Sequence, residues 1–327
     1  MRFFESYIGM FIAQSALHSF TALIIIEMSF HSWEIRDHLS KLRYRLLILI
    51  LPILGFPFYQ LINPERGSMY FRENNAIFDI NRWLSLRILD TIPVYGIFFL
   101  GLLLVTLIFF FQEIFPIIRE KMPKQDQMPE ITPSDNIELI VEKICGNLKI
   151  ERPSVMVVSE QNPLLYTTGT RRHTIVLSTG LLQRLDHGQL ESALFHEIVH
   201  MLRGSNIKTQ IIYLLRMLMF YNPVSMVEFR RLVQDDEFVC DSITVSYTKR
   251  PDALASAIKT FYTSPDKLRL SGLSSVIDVI ESHSHNILID ERIRHIGEMR
   301  AEEYESFGWG GYILTVIVIL KINYMVV

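Results

Sequence analysis

His196-Glu197-Ile198-Val199-His200 sets two imidazoles four residues apart, with a carboxylate beside the first. On a helix that spacing puts both rings on one face, where they can share a metal ion. Glu197 then lies where it can polarise a water and carry its proton, the chemistry of metal-assisted hydrolysis. A catalytic zinc wants a third protein ligand and one open position, so a single Zn2+ would need one more donor. The candidate is Glu237, 37 residues past His200, in Glu237-Phe238-Val239-Cys240-Asp241. Asp241, one helical turn beyond Glu237, can accept the free N–H of a ligand histidine and fix its ring. Because Asp235 and Asp236 adjoin, the alternative is a solvated acidic face.

These residues need elements to hold them. Asp186 and Gln189 form a capping pair for a metal-bearing helix over about 188–203. An apolar helix over 207–220 and an Asn222-Pro223 break allow a reversal, so that a helix over about 223–247 returns antiparallel with Glu237 and Asp241 on it. Upstream, Thr132 reads as an N-cap with Pro133 at the first helical position, and Ile137, Ile140, Val141 and Ile144 share one face of a helix ending near Gly146. Residues 154–159 read as a strand, as do Thr174, Ile175, Val176, Leu177 and Ser178. The second strand is the candidate edge for pairing with an extended substrate, the alternative being an ordinary internal strand. His283, His285 and His295 are surface or satisfied histidines in this reading, with one of them a possible donor to the site. His173 reads as a turn residue.

The setting is a membrane. Of the 327 residues 49% are hydrophobic and 20% charged, and the mean hydropathy is +0.24. Four apolar stretches approach the ~20 residues a helix needs to cross a bilayer: 7–28, 46–62, 91–111 and 307–327. The first carries Gln14, His18 and Glu27, and Pro52 and Pro57 would kink the second. The chain thus divides into 1–114 with three spans, a polar domain over 115–306 entered by a linker over 116–133, and a fourth span over 307–327. Basic residues cluster at Arg36, Lys41, Arg43 and Arg45, at Arg119, Lys121 and Lys124, and at Arg292, Arg294 and Arg300, all on one side of four spans. That bias puts the polar domain in the cytoplasm and both termini outside. Tyr70, Phe71, Phe78 and Trp83 in the opposite loop over 63–90 read as an interfacial belt. A net charge of -3 gives no nucleic-acid surface. Two cysteines, Cys145 and Cys240, are too few for a disulfide framework and read as buried thiols.

The His-Glu-x-x-His helix followed by Glu-x-x-x-Asp resembles the gluzincin-type membrane peptidases: the HtpX-like and CAAX prenyl proteases and the BlaR/MecR-type antirepressor peptidases. Phe220-Tyr221-Asn222-Pro223 leading to Glu237-Phe238-Val239-Cys240-Asp241 is most similar to the BlaR/MecR group, whereas Tyr166-Thr167-Thr168-Gly169 and Ile175 to Leu182 look more like the HtpX branch. The resemblance covers about 135–300. It implies an α+β fold, mainly helical with a small sheet, in which four transmembrane helices carry a zincin-like metalloprotease domain. It also implies a zinc metalloendopeptidase that cuts protein or peptide substrates at the cytoplasmic face of a bacterial inner membrane, in contact with lipid, for regulated signalling or for quality control. Glu291-Arg292-Ile293-Arg294 is similar to a segment that supports these sites, making Arg292 an orienting or oxyanion-stabilising group; pairing with leaflet lipid is the alternative. Two features depart from the family. No sensor domain is expected beyond 307–327, so a β-lactam-sensing role does not carry over, and Ser205 stands where an acidic residue is common. The reading from another class is a non-catalytic zinc-bound scaffold or receptor, which would have no use for Glu197.

Overall fold

The computed structural model describes residues 3, 6–115, 130–131, 133–169, 172–262, 288–298 and 308–327. Most of the linker over 116–133, together with Thr132, His283, His285, Arg119, Lys121, Lys124 and Arg300, lies outside the described residues. The chain divides into two units: Met1–Met122 with Ile211–Asp235 and Tyr304–Val327, and Pro123–Gln210 with Asp236–Glu303.

In the first unit α1 (Tyr7–Ser32) and α2 (His38–Ile62) pack as a pair, and α3 (Val94–Phe109) runs on through a π-helical turn, Phe110–Ile114. Ser6 caps α1 by accepting from Gly9 N, and Asp37 caps α2 by accepting from Ser40 N, which satisfies helix-terminal N–H groups that lipid could not. α2 begins eight residues earlier than its apolar stretch and keeps Pro52 and Pro57 inside one helix. Among the described residues three helices are long and apolar enough to cross a membrane: Tyr7–Ser32, His38–Ile62 and Val94–Gln112.

The fourth expected span is corrected. The helix over Trp309–Tyr324 has 16 residues, about 24 Å of rise against a hydrocarbon core of about 30 Å. At its C-terminal end the fully buried Arg66 donates to Tyr324 O at 2.9 Å and Asn323 O at 2.9 Å, and to Val326 O just beyond the helix at 2.6 Å.

In the second unit α4 (Asp135–Leu148), α5 (His187–Arg203) and a four-stranded sheet enclose one core. The N-cap of α4 is Ser134, two residues beyond the expected Thr132, and Ile137, Ile140, Val141 and Ile144 are buried as their spacing predicts. The strands are β1 (Glu130–Ile131), β2 (Ser154–Val158), β3 (Leu165–Thr168) and β4 (Thr174–Ser178), ordered β1-β2-β4-β3. β2 and β4 run parallel in the register Val155 to Ile175, whereas β3 lies antiparallel to β4 with Thr167 opposite Ile175.

This order corrects the edge expected at Thr174 to Ser178. Both sides of that strand are paired, and Ile175, Val176, Leu177 and Ser178 are buried. Among the described residues the outermost strand on that side is β3. The other long helices among the described residues are α6 (Ser205–Leu218), α7 (Pro223–Thr248), α8 (Pro251–Tyr262) and α9 over 288–298; the 309–324 helix is α10, and short helical segments at Pro64–Gly67, Met69–Asn74, Ile80–Ser85 and Thr179–Leu182 are left unnumbered.

Candidate metal centre

Local sequence sets the limits of α5. Asp186 accepts from Gln189 N at 2.8 Å while the Gln189 side chain accepts from Asp186 N at 3.0 Å, a reciprocal cap. At the other end Gly204 takes the left-handed conformation, φ 62°, that ends helices at little cost. Between these stops His196 and His200 fall on one face, with Nε2 atoms 2.9 Å apart. Glu237, on α7, brings Oε2 to 3.5 Å from His196 Nε2 and Oε1 to 3.3 Å from His200 Nε2. The three donor atoms lie within 4.8 Å of one another. Two imidazole nitrogens and one carboxylate converging on one point form a donor set that suits zinc and leaves a position open, so the residues fit a single catalytic zinc ion.

The partners behind the donors are equally specific. Asp241 Oδ1 lies 3.1 Å from His196 Nδ1, which points the opposite ring nitrogen at the donor cluster. Arg292, on α9, grips Asp241 with Nε and Nη2, both at 2.8 Å, and reaches Glu237 Oε2 with Nη1 at 2.9 Å. Arg292 therefore faces the metal cluster rather than lipid. His200 Nδ1 faces Cys240 Sγ at 3.5 Å and Asp236 Oδ2 at 3.8 Å, and Asp236 also accepts from Arg203 at 2.7 Å. The pairs Asp236/Cys240 and Glu237/Asp241 thus form two adjacent rows on α7. His295 is turned away: it lies 3.3 Å from Ser242 Oγ with its ring against Phe238.

Electrostatics follow from this packing. Burial opposes ionisation of Glu237, but Arg292 and then the two histidines hold its carboxyl well below the usual range. Asp241 is lowered in the same way, burial being outweighed by Arg292 and His196. Burial likewise pushes His196 down, yet Asp241 and Glu237 outweigh it and lift the ring to about 10. The pocket therefore favours positive charge. Burial, and then the neighbouring Asp236 carboxylate, push the Cys240 thiol up from its usual value.

The donors open into a cleft of about 270 Å3. Glu197 lines it, and its Oε2 accepts from Thr167 Oγ1 on edge strand β3 at 2.9 Å. Leu164 to Tyr166 run along one wall, and Leu254, Ile258 and Phe261 of α8 line another. Sequence reasoning missed Thr167, Cys240 and Asp236. The signal for the last two was available, since they precede Glu237 and Asp241 by one residue at the same four-residue spacing. Thr167 has no local signal, because its contact depends on sheet register.

A family model described as BlaR1 peptidase M56 matches residues 87–257, slightly more than half the chain and all of α5 and α7. A curated protein called "Protease HtpX homolog" from Pediococcus pentosaceus is 32% identical over 89 residues. The match takes in 26% of this chain and 30% of that protein's length. Among solved structures, the crystal structure of S. mikatae Ste24p aligns over 84% of this chain and 75% of its own, at 13% identity and a TM-score of 0.23, too loose to equate the folds.

Proposed function

Because the chain belongs to the BlaR1 peptidase M56 family, we propose that it is a membrane-embedded zinc metalloendopeptidase, with His196, His200 and Glu237 as zinc ligands and Glu197 as general base. The observation that carries this reading is the convergence of those three donors at the floor of a cleft that Glu197 also lines. Zinc held there supplies Lewis acidity toward a peptide carbonyl and acidifies water.

The chain's own residues do the rest. Glu197 takes the proton of the attacking water and hands it to the departing amine. Thr167 engages Oε2, which fixes the carboxylate and leaves Oε1 to carry the proton. Asp241 holds the His196 ring in the orientation that presents Nε2. Arg292 balances the buried Asp241 carboxylate and the partly exposed Glu237 and, lining the cleft, is placed to meet negative charge developing on the substrate. Among the described residues β3 is the outermost strand on that side and lines the cleft, so an extended peptide can add to the sheet there.

Protein substrates, cut at the cytoplasmic face of a bacterial inner membrane, fit the basic residues in the α1–α2 connection and the first turns of α2, Arg36, Lys41, Arg43 and Arg45. The test is hydrolysis of fluorescein-labelled casein by the purified full chain in detergent. A chelator should abolish hydrolysis and equimolar zinc should restore it. Chelator-resistant cleavage would overturn the metal role.

A further inference from the structure

One helical stretch of the first unit shows a polarity opposite to that of a helix in water. From Ile211 to Phe220 the exposed residues are Ile211, Leu214, Leu218 and Phe220, all apolar. The charge in this stretch is turned inward: Arg216 is 3% exposed, with its guanidinium carbon 4.5 Å from the ring centre of Phe229 and 5.6 Å from that of Phe109. Charge inward and aliphatic side chains outward is the pattern that lipid imposes. The opposite face of α6 packs Ile212 and Met219 against Leu49 of α2, a candidate span, so the exposed stripe continues that span's apolar surface.

Depth can be read from the contacts at the turn. Tyr221 Oη meets Ser15 Oγ at 2.7 Å, and Asn222 Nδ2 donates to Ser19 Oγ at 2.8 Å. Ser15 and Ser19 lie about 12 and 18 Å along α1, a helix about 39 Å long, so the turn sits near its middle. Tyr221, Asn222 and Ser225 are all buried. Non-helical backbone at membrane depth is tolerated only under such cover.

The returning limb climbs to one end of the spans. Arg231 reaches Glu27 near the end of α1 at 3.1 Å, Arg230 reaches Gln112 after α3 at 3.0 Å, and Asp235 pairs with His38 at the start of α2 at 2.7 Å. Asn222 to Asp235 is about 20 Å of helix, somewhat more than half of a hydrocarbon core.

We infer that Ile211–Asp235 forms a re-entrant hairpin in the bilayer, entering and leaving on the side of the α1–α2 connection, with Ile211, Leu214, Leu218 and Val227 facing acyl chains. The hairpin makes lipid a direct partner of the segment that joins the two histidines to Glu237. It holds whether or not the metal reading does.

Single nitroxide labels test it on the full chain reconstituted in phosphatidylcholine and phosphatidylglycerol vesicles, at Lys208→Cys, Leu214→Cys, Leu218→Cys and Val227→Cys. The native thiols are buried, and unmutated protein gives the background. The expected result is collision with oxygen and loss of collision with a water-soluble nickel chelate at 214, 218 and 227, deeper at 218 than at 214, with nickel access at 208. Nickel access at 214 and 218 would overturn the hairpin. So would occlusion from both probes, which would mean that a second copy or another protein covers the stripe. A position whose variant fails to fold leaves the others to decide.

Discussion

Arg292 and Asp241 form a two-pronged ion pair, Nε and Nη2 each 2.8 Å from the carboxylate, with Asp241 fully buried. The same guanidinium meets Glu237, so one cation balances a metal ligand and the group that orients another. Removing it leaves the fully buried Asp241 carboxylate without its guanidinium, beside the partly exposed Glu237. Arg292→Gln should therefore cost about 3–5 kcal/mol in metal-free protein, measured by thermal unfolding in detergent. The loss should be smaller with zinc present, since the ion supplies positive charge at the same place. Arg292→Lys should recover only part of it, because an ammonium cannot reproduce the fork.

Asp241→Asn addresses ring orientation rather than charge balance. Zinc affinity, read by competition with a chromogenic chelator, should fall about 10- to 100-fold while helix content stays constant. An unchanged affinity would remove Asp241 from the metal's support.

Thr167→Val isolates the hydroxyl that holds Glu197. One lost hydrogen bond of about 1.4 kcal/mol predicts a roughly tenfold lower kcat. Zinc content and KM should not move, and Thr167→Ser should restore the rate. A change in KM alone would reassign Thr167 to substrate binding.

The metal-free site should leave a signature in stability against pH. Glu237 and Asp241 are held below their ordinary values of 4.5 and 3.8, so their contribution is present above those values and lost as pH falls below them. His196 is raised from 6.5 to about 10, so its contribution is present below 6.5 and lost as pH climbs toward 10. The stability gap between metal-free wild type and Asp241→Asn should be widest between about pH 4.5 and 6.5 and narrow on both sides. A gap that does not vary with pH would contradict this.

The metal helix was legible because two histidines at helical spacing between a cap pair and Gly204 leave little choice of face. Glu237 and Asp241 followed from the same periodicity plus a Pro-marked reversal, and Arg292 from its resemblance to related sites, while its partners emerged only from packing. The edge strand was misassigned for a physical reason. The apolar run Ile175-Val176-Leu177 is the mark of an interior strand, whereas Leu165 to Thr168 alternates half-buried and exposed residues as an outer strand does. The fourth span was overcounted because composition alone does not reveal that the helix covers only Trp309–Tyr324 of the apolar stretch, with Arg66 bonded to carbonyls at its end. The inward Arg216 shows the complementary limit: a charge in an apolar run reads as a break until its side chain is seen turned into the protein.

The account turns on Glu237 as third ligand and Glu197 as base, and zinc stoichiometry by inductively coupled plasma mass spectrometry separates the two roles. Wild type and Glu197→Gln should each carry about one zinc per chain, and Glu237→Ala should carry almost none while remaining folded. Zinc retained in full by Glu237→Ala, or absent from the wild type, would contradict the assignment.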